Sequence, residues 1–221
     1  MSTHATVRGL LAAVPIALAT ATTPAGCHPT TEPGGGAAPA AAADVAAAQQ
    51  QLAGLRITPP DTGAHYNRAD WPHWSIVAGE CDARETTLQR QGTHVTTGAH
   101  CRITGGTWTS PYDGTTVTTP GSLDIDHMVP LAEAARSGTR GWTRAQREHY
   151  ANDSAVLVAV TAKSNRSKGD QDPARWLPAK DRCGYVAHWV AVKATYAMTV
   201  DPAEHDVIAG ILDHCPGSEA R

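Results

Sequence analysis

The chain has 221 residues and a mass of 23.1 kDa, with 41% hydrophobic and 18% charged residues, which suits one domain with its own core and excludes a multi-domain machine. Six Trp, five Tyr and no Phe leave the packing to Trp, Val, Ile and Leu. A formal net charge of −3 excludes a histone-like polycation but not a nucleic-acid enzyme, because a local patch can supply the field.

Residues Val7 to Ala21 read VRGLLAAVPIALATA, one Arg and an apolar run of signal-peptide length, too short for a comfortable membrane span. The following Pro24-Ala25-Gly26-Cys27 resembles a bacterial lipoprotein processing site, which implies export of residues 1–27 as a signal peptide and Cys27 as the lipidated residue. The expected location is secreted or cell-envelope, with a membrane contact only through that anchor. Residues 28–43, rich in Pro, Gly and Ala, have nothing to bury and read as a flexible tether. The folded domain is expected over 44–221. Val45, Ala48, Leu52 and Leu55 follow at helical spacing, with Asp44 as N-cap and Thr58-Pro59-Pro60 ending the helix.

Apart from Cys27, four cysteines remain: Cys81, Cys101, Cys183 and Cys215. An even count in an exported chain implies two disulfides, with three possible connectivities. The local pairing, Cys81 with Cys101 and Cys183 with Cys215, is preferred because each bridge then closes a loop inside one half of the domain. No C-x-x-C pair is present, which argues against a four-Cys zinc site.

Farther along, Leu123, Ile125 and His127 alternate with Asp124, Asp126 and Met128, the period of a strand stopped by Pro130. On an ideal strand Asp126 and His127 lie on opposite faces, so sharing one site requires a bend or bulge. AEAARSG and TRAQREHY read as helices separated by Gly138 and Gly141. Asn152-Asp153 reads as an Asx-type turn into an apolar strand ending at Val160, and the polar run from Thr161 to Gly169 begins a helix. From Gly121 to Lys193 there are eleven Lys/Arg against eight Asp/Glu, so the basic charge is concentrated around these elements.

With DIDHMVPLAEA (124–134), the SG…GW spacer (137–142), REHYAND (147–153), NRSKGDQDPARWLP (165–178) and CGYVAHW with its later Lys and Tyr (183–196) in this order, the chain resembles the HNH endonucleases. CDAR…L (81–88) and GTWTSPYDG (106–114) extend the likeness, which covers about residues 50–215. More narrowly it resembles a secreted actinobacterial branch related to the C-terminal domain of modification-dependent restriction enzymes. The resemblance implies an α+β fold with a ββα-metal core at about 121–180, added helices and stapling disulfides. It also implies roles: His127 as general base, Asp126 and Asn165 as metal ligands, and Asn152 as the middle Asn that steadies the hairpin and orients the base. The segment between His127 and Asn152 is longer than in compact members of the family.

Those residue types suit the chemistry in their own right. A His near its ordinary pKa of about 6.5 is mostly unprotonated at pH 7, and a carboxylate with an amide carbonyl forms a hard-oxygen set for Mg²⁺ or Mn²⁺. Asp124 is a further possible ligand, equally satisfied by a solvent face. Arg84, Arg166 and Lys168 are the candidate phosphate contacts. The expected function is an exported, metal-dependent, monomeric endonuclease acting on nucleic acid, DNA with RNA as an alternative, with little sequence specificity. The alternatives are a non-catalytic cell-envelope lipoprotein on the same scaffold and a hydrolase of other phosphodiesters.

Overall fold

The computed structural model describes Met1 and residues 42–216. The expected signal peptide apart from Met1, Cys27 and the expected tether up to residue 41 lie outside the described residues. The first helix, α1 (Ala42–Gly54), starts two residues before Asp44, so Asp44 stands within the first turn and is not the N-cap. An acidic side chain is equally suited to that position, beside the positive end of the helix dipole. Val45, Ala48 and Leu52 form its buried face as the spacing requires.

The elements then run β1 (Arg56–Ile57), β2 (Ile76–Ala78), β3 (Cys81–Asp82), α2 (Ala83–Gln91), β4 (Thr93–Thr97), β5 (Ile103–Thr109), β6 (Thr116–Val117) and β7 (Leu123–His127). After them come α3 (Leu131–Arg136), α4 (Arg144–Asn152), β8 (Leu157–Thr161), α5 (Ala162–Lys168), α6 (Arg182–Thr195), β9 (Thr199–Val200) and α7 (Pro202–Leu212). The architecture is α+β, with small sheets: β1 beside β9, β2 beside β3, a β4-β5-β6 meander and the β7–β8 pair. No helix among the described residues is long and apolar enough to cross a membrane.

The β7–β8 pair divides the core. Alternation puts Leu123 and Ile125, with Leu157 and Ala159, into a cluster with Leu88, Ile103 and Trp108. The opposite residues, Val158 and Val160, join the larger cluster that includes Tyr112, Trp189 and the α1 face. The Trp108 indole donates to the Leu88 carbonyl at 2.8 Å, and Gly92 is required there because any side chain would collide with that ring.

Two disulfides staple the molecule in the local pairing. Cys81–Cys101 ties β3 to the turn after β4, and Cys183–Cys215 ties the start of α6 to the end of α7. Between those helices Lys193 is fully buried and donates to Glu133 Oε1 (3.0 Å), Glu204 Oε2 (2.8 Å) and the Thr199 carbonyl (2.9 Å). A buried ammonium with this many acceptors is the arrangement in which a charge is tolerated in a core.

Candidate functional site

The register of β7 against β8 is unbroken from Leu123↔Thr161 to His127↔Leu157. No bulge turns the strand, so Asp124 and Asp126 share one face and His127 lies on the other. Helix α5 lies along the carboxylate face. Asn165 Nδ2 donates to Asp124 Oδ2 at 3.1 Å, and one turn later Lys168 Nζ donates to Asp126 Oδ2 at 2.5 Å. The sequence reading joined Asn165 with Asp126, whereas the direct partner of Asn165 is Asp124.

The start of α5 is fixed by Thr161, whose hydroxyl accepts from Ser164 N, and by Asp113 in the turn after β5. Asp113 Oδ2 accepts from Thr161 Oγ1 (2.5 Å) and Ser164 Oγ (2.8 Å). Partial burial raises the Asp113 pKa, but these bonds and the Thr115 backbone outweigh it and hold the group at about 2.

Asp126 is only 6% exposed. Its Oδ2 also accepts from the Tyr112 hydroxyl at 2.6 Å. Burial pushes its carboxyl upward, opposed by the Lys168 ammonium. Lys168 is fully buried and donates additionally to the His127 carbonyl at 2.8 Å, so one ammonium ties the carboxylate to the backbone of the adjacent histidine. That burial removes Lys168 from the surface where phosphates are met. The other two phosphate candidates differ from it: Arg84 is occupied by Glu85 Oε1 at 2.7 Å and the Pro120 carbonyl at 3.2 Å, and Arg166 is exposed on α5.

His127 is also 6% exposed. Its Nε2 lies 2.9 Å from the Ala151 carbonyl, an acceptor only, so Nε2 carries the proton and Nδ1 holds the lone pair. Tyr150 and Trp74 flank the ring at centroid distances of 6.3 and 6.2 Å. Burial lowers its pKa to about 3, aided by the nearby positive groups Lys168, Arg68 and His73 and opposed by the Ala151 bond. The imidazole is therefore a neutral base well below the ordinary histidine range.

Asn152 does not touch the ring, whose orientation comes from the carbonyl one residue earlier. Its amide instead clamps a distant loop: Nδ2 donates to the Pro72 carbonyl (2.8 Å) and Oδ1 accepts from Ser75 N (2.8 Å). Between those anchors sits Trp74. The Asx turn into β8 belongs to Asp153, whose Oδ1 accepts from Ala155 N.

The donor set fits a hard divalent ion in chemical type: two carboxylates from β7 and the Asn165 carbonyl oxygen, whose amide nitrogen is committed to Asp124. Among the described residues no three His, Cys, Asp or Glu side chains converge as a metal site, so any such set must include the amide. The Lys168 ammonium already stands at Asp126 as a cation. A cavity of about 650 Å³, bordered by Arg90, Trp108, Tyr112, Val158, Tyr185 and His188, includes none of Asp126, His127 and Asn165 in its lining.

Sequence reasoning did not find Tyr112, Asp113, Arg68, His73 or Trp74. The only signal for the first two was their place in GTWTSPYDG. The other three lie in a stretch without periodicity.

Residues 82–211 match the family model for the C-terminal domain of GmrSD restriction endonucleases, and Asp126, His127, Asn152, Asn165 and Lys168 all fall inside it. An uncharacterized secreted protein of Arthroderma benhamiae is 42% identical over 168 residues, covering 74% of this chain and 82% of the relative. No solved structure matches. The matched span takes in β7, β8 and α5 with the residues that surround them, and the chain belongs to the family of GmrSD restriction endonuclease C-terminal domains.

Proposed function

We propose that this protein is an exported, metal-dependent endonuclease that hydrolyses phosphodiester bonds of DNA, with RNA as a possible second substrate class and little sequence specificity. The observation that carries the reading is His127: a neutral imidazole, held so by burial, whose Nε2 proton is committed to the Ala151 carbonyl, which leaves the Nδ1 lone pair to accept a proton. Export is supported by the two disulfides and by the secreted Arthroderma relative; both suit an oxidising compartment.

In this reading His127 Nδ1 takes a proton from water as the water oxygen bonds to phosphorus, and the bond to the 3′ oxygen breaks to leave a 5′-phosphate. Asp126 and Asn165, with Asp124 beside them, would hold Mg²⁺ or Mn²⁺ on the opposite face of β7 from the His127 ring, so this reading requires the scissile linkage to pass around the end of the strand, where His127 is the last residue. The ion would supply charge neutralisation at the phosphate and leaving oxygen. Tyr112 orients Asp126, and Asp113 holds the helix that presents Asn165.

One observation favours the alternative of a non-catalytic binding protein: the carboxylate most suited to the ion is occupied by the buried Lys168. Incubating the folded protein with plasmid, with Mg²⁺ or Mn²⁺ and with EDTA, separates the two. Metal-dependent nicking supports the nuclease, and its absence with both ions supports the alternative. Parallel reactions with RNA and bis-(p-nitrophenyl) phosphate distinguish polymer from small-ester hydrolysis.

A further inference from the structure

The segment from Arg68 to Val77 lies outside the family-matched span, yet it reaches His127. Trp74 is partly exposed, and its ring lies over the His127 ring at 6.2 Å and 27°. Its backbone is left-handed, φ +64°, a conformation that a bulky side chain adopts only when its surroundings impose it. The constraint is visible: Asn152 fixes Pro72 and Ser75 on either side, and Ser75 Oγ donates to Glu148 Oε1 at 2.7 Å. Next to Trp74, His73 meets its ring edge-on at 5.3 Å, and Arg68 reaches His73 Nε2 at 3.3 Å. Arg68 is exposed and makes no ion pair among the described residues. Beyond the loop the surface stays apolar, with Ile76 63% and Val77 45% exposed.

A guanidinium without a carboxylate, an aromatic ring clamped in place and an adjoining base are the components of a surface that reads single-stranded nucleic acid, because every base has a π-face and every linkage a phosphate. Duplex bases are stacked on one another and offer no free face. We propose that Trp74 and Arg68 form a substrate ledge at this site, on which an unpaired base of a single-stranded nucleic acid stacks beside His127 while Arg68 takes the adjoining phosphate. This assignment rests on the nuclease reading for its meaning but is tested without turnover.

The test is binding of a fluorescein-labelled single-stranded oligonucleotide in EDTA, followed by anisotropy, with an abasic oligonucleotide and a duplex in parallel. The variants are Trp74→Leu, which keeps an apolar plug against the core without a π-face, Trp74→Phe and Arg68→Gln, each compared with the parent by thermal unfolding. Trp74→Leu should weaken binding of the single strand roughly 5- to 100-fold and leave the abasic oligonucleotide unchanged, and Trp74→Phe should retain most of the affinity. Arg68→Gln should weaken both and flatten the log–log salt dependence by about 0.7. Equal effects of Trp74→Leu on normal and abasic strands, no effect on either, or no single-strand binding by the parent would overturn the ledge. Nicking of plasmid with unaltered binding by Trp74→Leu would sink the ledge alone. Trp74-dependent binding without metal-dependent cleavage of either plasmid or single-stranded nucleic acid would sink the nuclease reading alone.

Discussion

Lys168 shows how a residue's chemistry depends on where its side chain ends. In sequence it is a basic residue in a polar helix, suited to phosphate; in the fold it is fully buried against Asp126 and the His127 carbonyl. Two consequences separate these roles. Lys168→Met should leave the salt dependence of nucleic-acid binding unchanged, measured as the slope of log affinity against log salt, whereas Arg68→Gln changes it. The same substitution strands a buried carboxylate, which costs about 3–5 kcal/mol, and urea unfolding should register a loss of that order. The pairing was illegible because the partners stand 42 residues apart and no local pattern links them. The alternation that sends Asp126 and His127 to opposite faces was legible, since period two depends only on neighbours. Trp74 was illegible for the opposite reason: its position is set by Asn152 holding a loop that has no period of its own.

Among elements, the strand–strand–helix unit of β7, β8 and α5 follows from short-range signals: an alternating run ended by Pro130, an apolar run, and Thr161 capping a polar helix. What aligns α5 with the strand is Asp113, from a different part of the chain. Its depressed pKa gives a sign-definite expectation. A carboxylate whose pKa drops from 3.8 to about 2 on folding contributes stability that is present above about 4 and is lost as pH falls toward 2. Asp113→Asn should remove that component of the acid limb, read as melting temperature between pH 2 and 5. An acid limb identical in the two proteins would show that the clamp contributes nothing. The same variant loosens the mount of Asn165, so Mn²⁺ should be needed at higher concentration for cleavage.

The described residues form two hydrophobic clusters on the two faces of the β7–β8 pair, closed by covalent staples. The staples were legible in the even count of cysteines other than Cys27, and the local pairing is the one observed, whereas the division of the core in two was not. The Cys183–Cys215 bridge closes a span of 32 residues and should stabilise by about 4 kcal/mol in the chain-entropy account. Replacing both cysteines by Ser should lower the unfolding free energy by that amount in denaturant titration, and a change below about 1 kcal/mol would be inconsistent with it.

The proposed function makes His127 the base of a metal-dependent phosphodiester cleavage. The most direct test is the initial rate of plasmid nicking in Mg²⁺ by the parent, His127→Ala and His127→Gln, with circular dichroism and melting temperature establishing that each is folded. Both variants should be slower by about 10²–10⁴-fold, including His127→Gln, which can still donate to the Ala151 carbonyl but has no basic nitrogen. Near-parental metal-dependent nicking by either folded variant would contradict the account.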